Sequence, residues 1–182
     1  MEHRKIFQIE RLKVPGGELV ISGPVPPGKL REYTMHPKLD AFRRPAEQLE
    51  ALAEIAGLPE GRVIAATLGN QIVGYVTFHY PDELERWSES GQDDLIELGA
   101  IEVADPFRSY GIGRKMLQLA FRDGQLDNCI VFAAEYYWHW DLEGSGLNVW
   151  QYREMMERLM KSVDMIWAAT DDPEICAHPA NC

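Results

Sequence analysis

A junction between a predicted strand and a predicted helix constrains the fold more than any other feature of the chain. The stretch EVADPFRSYGIGRKMLQ covers residues 102–118, with an apolar segment before it and a helical pattern inside it. Gly111 and Gly113 allow a tight turn and let a ligand approach the backbone. Free amides at the start of a helix carry partial positive charge, so the junction predicts a site for an anion such as pyrophosphate.

Two common nucleotide-binding motifs do not fit this junction. Gly113 is followed by Arg114, Lys115 and Met116, so the third glycine of G-x-G-x-x-G is missing, and the G-K-[ST] spacing of a P-loop is also absent. Between Arg108 and Arg122 the chain has four basic residues and no acidic ones. In a chain of net charge −11, this reversal favours an anionic ligand over the alternative, a tight turn with a surface arginine.

Composition narrows the class of protein. A length of 182 residues with 46% hydrophobic residues predicts one globular domain, residues 1–182. The net negative charge argues against a general nucleic-acid binder, which needs a basic surface. Three cysteines make no disulfide framework, which predicts a cytoplasmic location. Without a signal core or a membrane-spanning apolar run, we expect a soluble chain with no membrane partner.

Periodicity and turn residues predict the order of elements. Residues 1–30 form an N-terminal hairpin around Pro15, Gly16 and Gly17, and 24–38 are irregular. Further strands are predicted at 62–68, 71–80, 95–103, 129–137 and 165–170, and helices at 43–61, 112–122 and 148–162. A polar segment (82–94), an aromatic loop (138–146) and an irregular tail (171–182) complete the chain. This order predicts a mixed α/β sheet with helices on its faces.

The pattern of Arg108, Gly111 and Gly113 resembles motif A of the GCN5-related N-acetyltransferases (GNAT), [RQ]-x-x-G-x-[GA]. The resemblance implies a central, mostly antiparallel twisted sheet with helices on both faces, and acetyl-CoA as cosubstrate. It implies that the strand edge at Ile101 and Val103 pairs with the pantetheine arm. The residues that it places around the pyrophosphate are Arg108, Ser109, Tyr110, Gly111, Ile112, Gly113 and Arg114.

A closer resemblance covers nearly the whole chain. The segments EIAGLPEGRVIAA, VGYVTFHYPDELERWSE, DDLIELGAIEVA, EYYWHWDL and ATDDPEICAHPANC are similar to the acetoin-utilisation protein acetyltransferases of Bacillus-type bacteria, the AcuA family. That family acetylates an active-site lysine of AMP-forming acetyl-CoA synthetase and so switches the synthetase off. The resemblance therefore implies this synthetase as partner. Family chains continue past HPANC, so a truncated C-terminal tail is expected here.

Acetyl transfer to an amine needs a general base, and Glu97 is our candidate. It lies in an apolar strand segment, at the same offset before the motif arginine as the base glutamate of histone acetyltransferases. Simple alternation places Glu97 on the same side of the strand as Ile101 and Val103, although a bulge, frequent at this point of the fold, would alter this. Glu102 is the alternative base, on the opposite side. An edge-facing or salt-bridged glutamate is the structural alternative for Glu97.

The remaining catalytic roles follow from the resemblance. A backbone amide near Val103 would polarise the thioester carbonyl. Tyr152 lies on the helix from which the family often takes its acid, and its alternative is a core aromatic; Tyr136 and Tyr137 are further candidates. The aromatic segment 136–140 could line an acceptor tunnel, because a lysine stem packs well on aromatic faces. The acidic segment 82–94 could face a basic region of the partner, or could be solvated.

Two alternatives to this function remain open in the sequence. The same fold serves small-molecule amine N-acetyltransferases, and a non-catalytic acyl-CoA sensor would keep the anion site without the base. A metal site is not predicted, since Cys176, His178 and Cys182 supply only three local ligands where zinc takes four. The target lysine and the oligomeric state cannot be predicted from the residues.

Overall fold

The computed structural model describes residues 3–182, apart from the side chains of Ser90 and Asp123. Its strands are β1 (Gln8–Val14), β2 (Gly17–Gly23), β3 (Thr34–Met35), β4 (Arg62–Leu68), β5 (Gln71–His79), β6 (Leu95–Val103) and β7 (Ile130–Phe132). Its helices are α1 (Pro27–Leu30), α2 (Pro45–Gly57), α3 (Ile112–Ala120), α4 (Leu142–Ser145), α5 (Val149–Lys161) and α6 (Pro173–Cys176). Single 3₁₀ turns cover Arg86–Ser90, Asp105–Phe107, Arg122–Gly124 and Tyr137–His139.

The strands form one mixed sheet in the order β1-β2-β4-β5-β6-β7. Neighbours along β1 to β6 are antiparallel, and only β7 on β6 and the short β3 on β5 are parallel. The predicted hairpins are confirmed: β1 and β2 join at Pro15 and Gly16, and β4 and β5 join at Gly69 and Asn70. The mostly antiparallel sheet expected from the resemblance is therefore present.

Helices cover both faces of the sheet, as predicted. On one face α3 buries Ile112, Met116 and Leu119, whose spacing makes one side of a helix apolar. These side chains pack on residues such as Phe78 and Leu98. On the other face α2 buries Leu52, Ala53 and Ala56 in a second core around Val63, Ile72 and Tyr75. The sheet thus separates two apolar layers.

The sequence was misleading where strand-like runs lack a partner. The strand predicted at 129–137 is only Ile130–Phe132, because the following residues diverge from β6. The strand predicted at 165–170 is wrong: these residues are irregular, and Ile166 and Trp167 are 83% and 59% exposed. An apolar run indicates a strand only if an edge is available to pair with it, and pattern alone does not report that.

The irregular regions also contain short elements that were not predicted. Residues 24–38 include α1, which starts at Pro27, and β3, and the aromatic loop includes α4. The helix predicted at 148–162 is confirmed as α5, which Asn148 caps in a capping box with Gln151. Ion pairs along the exposed side of α5 join Glu154 to Arg158 and Glu157 to Arg153. Among the residues described, no helix is both long and apolar enough to cross a bilayer.

Candidate functional site

The sheet opens at the end of the contact between β6 and β7. Their parallel register ends at Glu97 and Phe132, whereas β6 stays paired with β5 as far as Val103. Within the described chain, β6 beyond Glu97 therefore has no strand on its β7 side. An unpaired strand edge offers N–H and C=O groups to an extended ligand. Ile101 and Val103, predicted to contact the pantetheine arm, lie on this free edge, and their role stays a prediction.

A β-bulge at Gly99 interrupts β6 next to this opening. Phe78 pairs with Leu98 and Thr77 pairs with Ala100, which leaves Gly99 without a partner. A Cβ atom on Gly99 would lie 2.2 Å from His79 Nε2, so no side chain fits without displacement of the histidine ring. Glycine at position 99 therefore allows the His79 ring to lie close to the bulge.

The bulge reverses the side on which Glu97 lies. Leu98 belongs to the core beneath α3, and Ile101 and Val103 pack against the same core. Since neighbouring strand residues alternate, Glu97 points to the other face, the one that also carries Glu102. The prediction from simple alternation, with Glu97 on the side of Ile101 and opposite Glu102, is therefore wrong, and the extra residue at the bulge is the reason.

Glu97 is a buried carboxyl in an acidic environment. It is 9% exposed, and its pKa is raised to about 7. Burial is the largest cause, followed by the hydrogen-bonded carboxyl of Glu85 and the nearby charge of Asp82. A salt bridge would favour the ionised form of Glu97, whereas Glu85 and Asp82 both oppose its ionisation. The salt-bridged alternative is therefore wrong. A group with this pKa is half ionised near neutral pH, which suits a general base.

Glu102, the alternative base, is held by two donors. The Tyr75 hydroxyl donates to its Oε2 at 2.7 Å and the Ala41 backbone N–H donates to its Oε1 at 3.0 Å. Burial nevertheless raises its pKa, because the desolvation of the carboxylate outweighs these hydrogen bonds. Each oxygen of Glu102 thus accepts a hydrogen bond from within the protein, and the choice between Glu97 and Glu102 as the base stays a prediction.

The predicted anion turn has the backbone that its sequence requires. Ser109 and Gly111 have φ values of 72° and 71°, and α3 begins directly after them at Ile112. Gly111 is the N-cap residue, and none of the described side chains caps this helix end. The first amides of α3 are thus free to bind an anion. The predicted contacts of Ser109, Tyr110, Gly111, Ile112 and Gly113 with the pyrophosphate stay predictions.

The basic residues around the turn are mostly neutralised by acidic partners. The Arg108 guanidinium forms ion pairs with Asp141 at 2.5 Å and Asp105 at 2.8 Å. Its Nε also donates to the Val103 carbonyl at 3.0 Å, so it braces the end of β6. Lys115 and Arg122 both pair with one carboxylate, that of Glu10 on β1.

Of the four cations, Arg114 alone has no ion pair among the residues that the structure describes. The local excess of positive charge that the sequence indicates is therefore largely neutralised in the fold by ion pairs. The positive charge that remains available to an anion comes from the amides of the turn and from Arg114. Asp141, which the sequence did not single out, completes the brace on Arg108.

The tyrosine candidates for the acid lie in different surroundings. Tyr152 on α5 stacks on Trp140 at 5.1 Å between ring centroids, and burial raises its pKa, so it keeps its proton at neutral pH. Tyr136 stacks on Trp138, and burial together with nearby carboxylates, Glu97 among them, raises its pKa to about 12. Tyr137 packs against the His178 ring at 4.1 Å. The assignment of the acid to Tyr152 stays a prediction.

A cavity of about 540 Å³ lies on the Glu102 face of the sheet, beside the anion turn. Its walls include Trp138, His139 and Trp140 from the aromatic segment that was predicted to line an acceptor tunnel. The carboxylates around it are those of Asp40, Glu102, Asp105, Asp141 and Glu143, and the cations are Lys38 and Arg108. Lys38 and Asp40 were missed because their irregular segment carries no periodic signal.

The cysteine and histidine side chains near the C-terminus have other contacts. Cys176 Sγ donates to the Thr170 carbonyl at 3.3 Å, and the Ala180 N–H donates to His178 Nδ1 at 3.1 Å. Within the described residues no group of three or more histidine, cysteine, aspartate or glutamate side chains is arranged to hold a metal ion.

Comparison with known proteins places this site in context. The profile of the GNAT acetyltransferase family matches residues 29–139. The acetoin utilization protein AcuA of Bacillus subtilis (strain 168) is 54% identical over 182 residues, which are 100% of this chain and 87% of that protein. AcuA of Bacillus licheniformis is 52% identical with the same coverage. A crystal structure of an acetoin utilization protein from Exiguobacterium sibiricum superposes with a TM-score of 0.96 at 51% identity, over 98% of this chain and 85% of that one.

Proposed function

Because the chain belongs to the GNAT family and is an acetyl-CoA-dependent N-acetyltransferase, we propose that it acetylates a lysine of AMP-forming acetyl-CoA synthetase. The transfer lowers synthetase activity in the metabolism of acetoin and acetate. The observation that carries this proposal is identity of more than half over the full chain to an acetoin utilization protein. This similarity also covers the residues outside the coenzyme motif, and those residues determine which acceptor binds.

The free edge of β6 and the turn that follows it bind the donor. The pantetheine arm pairs with the strand at Ile101 and Val103, and the pyrophosphate accepts hydrogen bonds from the first amides of α3. Arg114 adds the positive charge that the paired cations do not supply. Arg108 acts mainly by holding the turn, since its guanidinium is engaged by Asp141, Asp105 and the Val103 carbonyl.

Glu97 removes a proton from the lysine ammonium at the point where β6 and β7 separate. The neutral amine then attacks the thioester carbonyl, which the backbone amide near Val103 polarises. Tyr152 protonates the departing thiolate, and its raised pKa keeps that proton in place until charge develops on sulfur. Much of the rate comes from positioning, because the thioester is already activated.

The aromatic segment 136–140 connects Glu97 to the cavity beside Glu102, since Tyr136 lies near Glu97 and Trp138 and Trp140 line the cavity. The lysine stem lies along these aromatic faces with its ammonium at Glu97. The cavity, in which carboxylates outnumber cations, takes the neighbouring part of the acceptor protein. The acidic segment 82–94 faces a basic region of the synthetase. Both features favour a cationic acceptor over a neutral one.

The test is incubation of the protein with acetyl-CoA and purified acetyl-CoA synthetase, followed by peptide mass spectrometry and an assay of synthetase activity. We expect one dominant acetylated lysine and a matching loss of synthetase activity. Acetylation no higher than without enzyme contradicts the proposal. Turnover of polyamines in place of the synthetase indicates a small-molecule enzyme, and binding of acetyl-CoA without any transfer indicates a sensor.

A further inference from the structure

The acidic segment 82–94 is anchored over the point where β6 and β7 separate. The Trp87 ring packs on the Phe132 ring with centroids 4.8 Å apart, and Phe132 is the β7 residue in register with Glu97. Arg86, the preceding residue, donates to the Asp171 carboxylate at 3.1 Å and to the Asp171 carbonyl at 3.0 Å. An aromatic contact and an ion pair therefore fix this segment beside the candidate base.

This anchoring brings the Glu85 carboxyl into hydrogen-bonding contact with Glu97. The backbone of Glu85 is ordered locally, since its N–H donates to the Asp82 carbonyl at 2.9 Å and its carbonyl accepts from the Ser88 hydroxyl at 2.7 Å. Glu85 is exposed, whereas Glu97 is buried. The two carboxyls thus link a buried group directly to water.

The groups that face Glu97 come from four parts of the chain. Asp82 and Glu85 lie on the acidic segment, His79 is its β5 neighbour in register, and Tyr136 follows β7. Beyond Tyr136, Asp172 and Glu174 add further negative charge. Two carboxyls in contact within such surroundings favour one shared proton, because two ionised groups would repel each other.

We propose that Glu85 is the proton-relay residue for Glu97, taking over the proton that Glu97 removes from the acceptor ammonium and releasing it to water. This rests on the proposed role of Glu97 in acetyl transfer. The first proton passes from nitrogen to Glu97, then to Glu85, then to solvent. The second proton leaves nitrogen as the C–N bond forms and the C–S bond breaks, and it replaces the proton that Tyr152 gives to the coenzyme thiolate. Both carboxyls finish each turnover as they began.

Glu85 acts through Glu97 without touching substrate, so the test needs a readout that a structural role would not change. The experiment compares Glu85→Gln with Glu83→Gln, a matched loss of one charge from an exposed residue of the same segment. For Glu85→Gln we expect the acidic limb of the pH profile of kcat/KM to move down by about one pH unit as the like charge is removed. We also expect kcat in dilute buffer to fall several-fold and to recover with added imidazole. Glu83→Gln should match the wild type in both.

A Glu85→Gln enzyme with the pH profile and kcat of the wild type would overturn the relay. Glu97→Gln, measured in parallel, distinguishes failure of the relay proposal from failure of the assignment of Glu97 as base. Full transfer by Glu97→Gln would show that Glu97 is not the base. If Glu85→Gln does not fold, Glu85→Asp keeps the charge but shortens the side chain. A loss of kcat that imidazole restores then supports the relay, and an unchanged kcat contradicts it.

Discussion

Glu97 owes its proposed chemistry to neighbours that lie far from it in the sequence. Its strand position and its apolar flanks could be predicted from the sequence, and burial in this position raises its pKa. The contacts with Glu85 and Asp82 could not, because they depend on how the acidic segment folds back over β7. The pairing of Arg108 with Asp141 was missed for the same reason: the partner is 33 residues away in a loop without a motif.

Replacement of Glu97 by glutamine removes the base while it keeps the size of the side chain. We expect kcat to fall by about 10²–10⁴-fold, the contribution of a general base. Affinity for acetyl-CoA should change little, because the turn that binds the pyrophosphate lies elsewhere on the chain. Stopped-flow or steady-state assays with the synthetase give kcat, and calorimetry gives the coenzyme affinity.

Glu102→Gln is the decisive comparison for that measurement. If Glu97 is the base, Glu102→Gln keeps the acidic limb of the pH profile and alters mainly KM for the acceptor. Loss of that limb in Glu102→Gln, with transfer retained in Glu97→Gln, would assign the base to Glu102 instead.

The bulge in β6 decides which of these carboxyls share a face, and it is the element whose disruption we expect to cost most. An alanine at Gly99 places its Cβ 2.2 Å from His79 Nε2, so the ring or the strand must move. We expect Gly99→Ala to destabilise the fold by about 1–3 kcal/mol, the usual cost of overpacking. The rate of transfer should also fall, because a shift of the strand changes the position of Glu97. Urea unfolding and transfer assays on one preparation separate the two effects.

Gly57→Ala provides the control for that substitution. Gly57 ends α2, and a Cβ atom there has no neighbour within 4 Å among the described residues. Alanine is the better helix former, so this variant should be as stable as the wild type or up to about 1 kcal/mol more stable. Equal stability and activity of the Gly99 and Gly57 variants would show that the bulge is not needed.

Elements with a local signal were predicted well, and those defined by pairing were not. α2 begins at Pro45 and α5 at the Asn148 cap because capping and periodicity are encoded nearby. The run at 165–170 has the composition of a strand but no edge to pair with, and β7 stops after three residues for a similar reason. A bulge was anticipated only as a property of the resembled family, since Gly99 by itself does not indicate one.

The whole chain carries an excess of acid, and Glu97, Glu102 and Glu135 are carboxyls held in desolvated surroundings. Burial raises the pKa of Glu135 to about 7 even though Trp140 Nε1 donates to it at 3.1 Å, and Glu97 reaches the same value. Glu10 and Asp141 shift in the opposite direction through their basic partners. The first pair titrates above pH 4.5 and the second pair below it, so their effects on stability fall in different pH windows.

The free energy of unfolding should therefore decrease as pH rises from about 4.5 to about 7. In this window the folded chain still holds protons on Glu97 and Glu135 that the unfolded chain has lost, so stability falls with pH. Each group contributes at most about 3 kcal/mol, at 1.36 kcal/mol per pKa unit.

Urea unfolding at pH 5, 6, 7 and 8 measures how the free energy of unfolding changes with pH. Glu97→Gln should make this slope flatter and should be more stable than the wild type at pH 8. Glu83→Gln, which removes an exposed charge, should keep the wild-type slope. A Glu97→Gln slope equal to that of the wild type would mean that Glu97 ionises in the folded chain as easily as in water, and the fold would then supply no base near neutral pH at this position.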